Sequence, residues 1–134
     1  MAIHFYTTKH LFQKTKDVIA DIVRQNPNIK TVLDVPAGAG ALSQFLHEDL
    51  KLKVTASDID PDKWKYNQIE FVPASMVLET NFSKSQFDMV VCFEVLKHFS
   101  DVSTAIKEFR RMIQPGGFFI CTIPNDLAMQ VRLR

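Results

Sequence analysis

Apolar residues return at helical spacing from Leu11 to Val23, where Leu11, Thr15, Val18, Ile19, Ile22 and Val23 share one side and Lys14, Lys16, Asp17, Asp21 and Arg24 fall largely on the other. The pattern predicts an amphipathic helix over about residues 9–25, ended by Asn26-Pro27-Asn28. Lys30–Val35 is then a β-rich apolar run that stops at Pro-Ala-Gly-Ala-Gly, and Ala41–Asp49 resumes helical spacing with Leu42, Phe45 and Leu46. Lys53–Ile59 reads as a second strand. Asp60-Pro61 reads as the start of a short helix through Trp64, with Asp60 as the capping side chain and Pro61 where a missing N–H costs nothing. Ile69–Ala74 is a third strand, and Phe87–Phe93 a fourth whose nearly unbroken apolar character suits a sheet covered on both faces. Asp101–Gln114 is a helix with Val102, Ala105, Ile106, Phe109, Met112 and Ile113 inward and Lys107, Glu108, Arg110 and Arg111 outward. Pro115-Gly116-Gly117 suits a type II turn into a fifth strand, Phe118–Ile123. Met76–Gln86 carries no readable period.

Strands alternating with helices predict an α/β fold, a doubly wound, mostly parallel Rossmann-like sheet with helices on both faces. The 134 residues make one domain, with its core over 30–125, and 46% apolar and 23% charged residues are the balance of a folded chain. Sixteen basic and 15 acidic residues, net +1, are scattered without a stripe that could track phosphates, so charge gives no indication of nucleic acid. Met1–Leu11 lacks the apolar run of a signal peptide or membrane span, which makes the cytoplasm the expected location. Cys92 and Cys121 sit in apolar runs without metal-ligand spacing and read as buried packing residues; no metal is expected.

In such a sheet, ligands bind beyond the carboxyl ends of the strands. That rule singles out Asp34–Gly40, Asp58–Asp60, Pro73–Met76 and Phe93–His98. The chain's four glycines fall in two turns only, one of them Pro36-Ala37-Gly38-Ala39-Gly40, where backbone can approach a ligand and helix N–H groups can face it. Asp34 either orients those N–H groups or receives a ligand's ammonium, or else makes a local turn bond. Asp58, 18 residues past Gly40, can accept from both hydroxyls of a ribose; otherwise it is a solvated loop acid. Glu94 and His98 share a face if their segment is helical. Histidine titrates at about 6.5 when unperturbed, and His98 is then either a general base or a packing or solvent-facing histidine.

In this order the motifs resemble the class I S-adenosylmethionine-dependent methyltransferases from Thr31 to Asn125. Val32–Gly40 looks like the loop that holds the cofactor's methionine part, Asp58 like the ribose acid, Phe87–His98 like the fourth-strand motif, and Arg110–Gly117 like the turn into strand five. The resemblance implies S-adenosyl-L-methionine as cofactor. It assigns cofactor contacts to Asp34, Pro36, Ala37, Gly38 and Gly40 in the first loop, to Asp58 and Ile59, to Ser75 and Met76, and to Phe93 and Glu94, with His98 as the catalytic residue. Pro36 stands where the family usually has glycine, a version similar to that of a bacterial subgroup acting on small molecules or sugars. Ser75 stands where an aspartate often meets the adenine amine, and Lys97 where glutamate precedes the histidine. The acceptor implied is a small molecule or sugar, met in part by the segment around Phe5 and Tyr6. The family's C-terminal hairpin strands are expected to be lacking, as in a truncated chain. The exposed edge of strand five is then covered by a second copy in a homo-oligomer, by Asp126–Arg134, or by nothing. Two further readings remain, a cofactor-binding module without catalysis and an NAD-binding domain. Against the second, Ser43 replaces the last small residue of the dinucleotide fingerprint and Asp34 lies inside the strand.

Overall fold

The computed structural model describes residues 3–7, 11–76, 80–93, 101–123 and 127–132. Among these residues, seven strands and three α-helices follow in the order β1 (Ile3–Thr7), α1 (Leu11–Gln25), β2 (Thr31–Asp34), α2 (Ala41–Glu48), β3 (Lys53–Asp58), β4 (Glu70–Pro73), β5 (Phe87–Cys92), α3 (Val102–Met112), β6 (Ile113–Ile123) and β7 (Leu127–Arg132). All lie in one sheet of order β1-β7-β6-β5-β2-β3-β4. The strands β6, β5, β2, β3 and β4 run parallel, and β7 is antiparallel to both β6 and β1. The sheet is therefore the Rossmann-like, mostly parallel one expected.

Side chains alternate along each central strand, so each strand feeds two cores. Val32, Met89, Val91, Phe118 and Ile120 pack with Ile19 and Ile22 of α1 and Leu42 and Leu46 of α2. Leu33, Val90, Cys92, Phe119 and Cys121 face the other way, onto Ala105, Phe109 and Met112 of α3. Cys92 and Cys121 are register partners on β5 and β6, both buried and free; burial pushes the Cys121 thiol up to about 12.

Several expectations are corrected. Residues 3–7 form a strand that the sequence reading did not anticipate, and it pairs with β7 at the sheet's outer edge. Phe5 and Tyr6 lie on this strand, with β7, β6 and β5 between it and β2 in the sheet order. The edge of the expected fifth strand is paired from within the terminal segment Asp126–Arg134: β7 runs antiparallel to β6 along Phe118–Ile123, and β1 pairs in turn with β7. The β6 backbone thereby finds its partner within the chain, so a second copy is not needed at that edge. β6 also begins earlier than expected: Ile113 pairs with Phe87, and the ladder resumes at Met89 and Phe118. Gln114–Gly117 is an irregularity within the strand, with Gly116 at φ +82°, the value that the third position of a type II turn requires.

On α3 the buried stripe is Ala105, Glu108, Phe109 and Met112, while Val102 and Ile106, expected inside, are exposed. Glu108, expected outside, is buried because it has partners. Arg111 Nε and Nη2 donate to it at 2.6 and 2.9 Å, and the Thr80 N–H donates to Oε2 at 2.5 Å. This network fastens the segment before β5 to α3. First Arg111 and then Thr80 hold the Glu108 carboxyl down, from 4.5 to about 2. The stabilisation is present above pH 4.5 and is lost as pH falls towards 2. Glu108→Ala is expected to lower stability by about 2 kcal/mol at neutral pH. In urea titrations, the gap between wild type and variant should close as pH falls through that window. Among the described residues, no helix is long and apolar enough to cross a membrane.

Candidate ligand site at the strand ends

The loop after β2 is tied to both neighbouring strands. The Val35 N–H donates to the Val91 carbonyl at 3.0 Å and the Ala37 N–H to the Ser57 carbonyl at 2.8 Å. The loop after β4 joins them, since the Ala74 N–H donates to the Asp58 carbonyl at 3.2 Å. The ends of β2, β3 and β4 are thus one backbone-linked rim. The Val35–Pro36 peptide is cis.

Asp58 is the pivot of that rim. Its Oδ2 accepts from the Gly38 N–H at 2.9 Å and its Oδ1 from the Asp60 N–H at 3.0 Å. It is buried, not the solvated acid of the alternative reading. A carboxylate offers about four lone-pair sites, so each oxygen keeps one for a further donor. Gly38, at φ +56°, is an αL residue, and a Cβ there would meet nothing within 4 Å. Open space therefore lies in front of the bend. Ile59, next to Asp58 in the chain, is an apolar side chain 74% exposed.

Asp34 ends β2 fully buried. Its Oδ2 accepts from the Ser43 hydroxyl at 2.6 Å, a tie to α2 that the sequence reading did not foresee. Burial, chiefly, pushes the Asp34 carboxyl up to about 7; the Ser43 bond opposes this and Asp58 adds to it.

The remaining assigned residues divide. Pro36 and Ala37 are half-buried in the bend, and Ser75 is half-buried after β4. The Met76 side chain is enclosed in the α3-side core. Phe93 packs edge-on against Phe12 of α1, with centroids 5.4 Å apart. Glu94 and His98 lie outside the described residues.

Sequence reasoning located the Asp60 cap but missed that residues 60–66 form a strap. Asp60 caps a 3-10 turn, Pro61–Lys63, by accepting from the Asp62 N–H at 3.1 Å, and the chain then crosses the start of α2. The Lys65 N–H donates to the Ala39 carbonyl at 3.2 Å, and Trp64 stacks on Phe71 of β4 at 5.1 Å. The Tyr66 hydroxyl donates to Glu48 Oε1 at 3.0 Å, so its oxygen accepts from His47 Nδ1 at 2.8 Å. His47, given no role from sequence, is therefore a strap anchor. The contacts to His47 and Glu48 join residues 19 and 18 apart in sequence and leave no local pattern to read.

A cleft of about 290 Å³ opens at the opposite end of the sheet, lined among others by Asn28, Asp88, Gln114 and Arg132. Its carboxylate is already committed, because Asp88 Oδ2 accepts from the Lys30 and Thr31 N–H groups and from the Thr31 hydroxyl.

Comparison with known proteins places this geometry in context. A family profile described as a methyltransferase domain matches residues 33–121. The ubiquinone biosynthesis O-methyltransferase of Shewanella halifaxensis is 28% identical over 114 residues, covering 76% of this chain and 47% of that protein. Among solved structures, the PH0226 protein of Pyrococcus horikoshii superposes with a TM-score of 0.69 at 25% identity, over 85% of this chain and 58% of that one. A putative S-adenosyl-L-methionine-dependent methyltransferase of Methanococcus maripaludis also gives 0.69, at 22% identity, over 85% and 57%. The chain thus spans about half the length of these proteins.

Proposed function

Because this chain belongs to the methyltransferase-domain family matched by residues 33–121, we propose that it binds S-adenosyl-L-methionine across the ends of β2, β3 and β4 and serves methyl transfer to a small-molecule acceptor. The observation that carries the reading is the bond from the Gly38 N–H to Asp58 Oδ2, with open space before the bend. A ribose diol there meets a carboxylate already fixed by two backbone donors, and the open positive-φ bend lets a ligand's amino-acid end approach the backbone. Ile59 offers an apolar face for the base, and the Ser75 hydroxyl a neutral polar contact.

Bound in this way, the cofactor supplies a methyl group on a sulfonium, open to in-line attack by an acceptor oxygen, nitrogen or carbon. The chain's own contribution is to orient and to exclude water, and orientation alone supplies on the order of 7–11 kcal/mol in favourable cases. His98 is the base we assign for a hydroxyl acceptor. The Shewanella relative's name, a ubiquinone biosynthesis O-methyltransferase, supports a small molecule over a macromolecule as acceptor.

Thermal shift with S-adenosylhomocysteine tests the site. At a hundred times its Kd the ligand should add about 2.7 kcal/mol and raise the melting midpoint by several degrees, while NAD leaves it unchanged. No shift with the homocysteine compound, or an equal one with NAD, would end this reading. Labelled cofactor offered with a panel of small phenols and sugars separates an enzyme from a binding module. With a phenol accepted, His98→Ala should lower transfer and leave S-adenosylhomocysteine binding intact.

A further inference from the structure

Ser43 stands in the first turn of α2 and is wholly buried, although nothing in helix formation requires a hydroxyl there. Its Oγ points at the end of β2 and donates to Asp34 Oδ2 at 2.6 Å, a length typical of a bond to an ionised acceptor. Asp34, 1% exposed, directly precedes the bend that carries Gly38 and Gly40. One hydrogen bond therefore couples α2 to the buried carboxylate that ends β2. Among the described residues, the other titratable groups facing Asp34 are Asp58 on β3 and Cys92 on β5. Cys92, its thiol pushed well up by burial first, stays neutral in the physiological range.

We propose that Ser43 is a positioning residue for the cofactor, holding Asp34 as the oriented carboxylate that receives the ligand's ammonium. This rests on the cofactor assignment above. A buried carboxyl with no donor prefers its neutral form, which attracts no cation. Burial lifts Asp34 to about 7, and Ser43, through hydroxyl and backbone N–H, opposes that rise. With the hydroxyl removed, the neutral acid should persist to higher pH, and binding should weaken in a pH-dependent manner.

The test is calorimetric titration of S-adenosylhomocysteine from pH 5.5 to 8 into wild type, Ser43→Ala, Ser43→Cys and Asp34→Asn. Cysteine fills nearly the same space with a weak donor, and carries the experiment if the alanine variant does not fold. Wild-type affinity should rise through about pH 7, where the Asp34 carboxyl titrates. In both Ser43 variants the rise should come about one pH unit later, which makes binding roughly fivefold weaker at pH 7. Asp34→Asn should bind weakly with no such rise. Unshifted midpoints in the Ser43 variants, or an equal loss at every pH, would make Ser43 a packing residue and overturn the proposal alone. Wild type that binds nothing at any pH would overturn the cofactor assignment and the proposal together.

Discussion

Asp58→Ala is expected to weaken S-adenosylhomocysteine binding by a hundredfold or more, the largest single loss at the site. A hydrogen bond to an ionised acceptor contributes about 1.5–3 kcal/mol, and the diol would make two. The same substitution leaves the Gly38 and Asp60 N–H groups without their acceptor, which loosens the bend as well as emptying it. Asp58→Asn should do little better. An amide has one acceptor oxygen, so its NH₂ must face either the Gly38 or the Asp60 N–H, donor against donor. The two losses can be separated with a cofactor analogue lacking one ribose hydroxyl. Wild type should lose affinity for the analogue, and Asp58→Ala should bind analogue and parent alike. A variant that still discriminates between them would place the sugar elsewhere. Melting midpoints measured alongside show whether the fold has survived.

The predicted elements of this fold were legible because each had a local cause. Met89–Cys92 alternates between two apolar faces, and the nearly continuous apolar run from Phe87 identifies a strand buried on both sides. Asp60 before Pro61, and Asp101 before α3, are caps within hydrogen-bonding reach of their own helices, so short-range chemistry locates them. The errors share a different origin. Ile3–Thr7 is a short run rich in β-branched and aromatic residues, and its partner, β7, lies at the other end of the chain. Glu108 was expected in water because charge normally is, yet Arg111 and Thr80 supply the donors that make its burial tolerable. Within the site, the positions of Asp34, Gly38 and Asp58 followed from the rule for strand ends. Ser43, Trp64 and Tyr66 did not, because their importance lies in contacts made across the fold to Asp34, Phe71 and His47.

The strap makes Gly40→Ala the substitution with the largest expected effect on stability. The two site glycines are glycine for different reasons: space is open in front of Gly38, whereas Gly40 is covered. Gly40 sits at φ +106°, outside what an L-residue adopts without strain. A Cβ there would stand 2.8 Å from the Tyr66 Cβ and 2.9 Å from the Trp64 ring. The first of those neighbours is fixed close to the backbone. Trp64 is held by its stack on Phe71, and Tyr66 by His47 and Glu48, so neither can yield without losing its own contacts. Backbone strain of about 1–2 kcal/mol and overpacking of about 1–3 kcal/mol together predict a loss on the order of 2–5 kcal/mol. Trp64 is the chain's single tryptophan, so its fluorescence reports the strap directly. Gly40→Ala should lower the urea midpoint and shift the native emission to the red, as displacement of the ring towards water requires. Gly38→Ala, strained in φ but meeting no neighbour, should cost about 1 kcal/mol and leave the emission unchanged. Equal losses in the two variants, with the native spectra of both unaltered, would mean that the strap does not rest on Gly40.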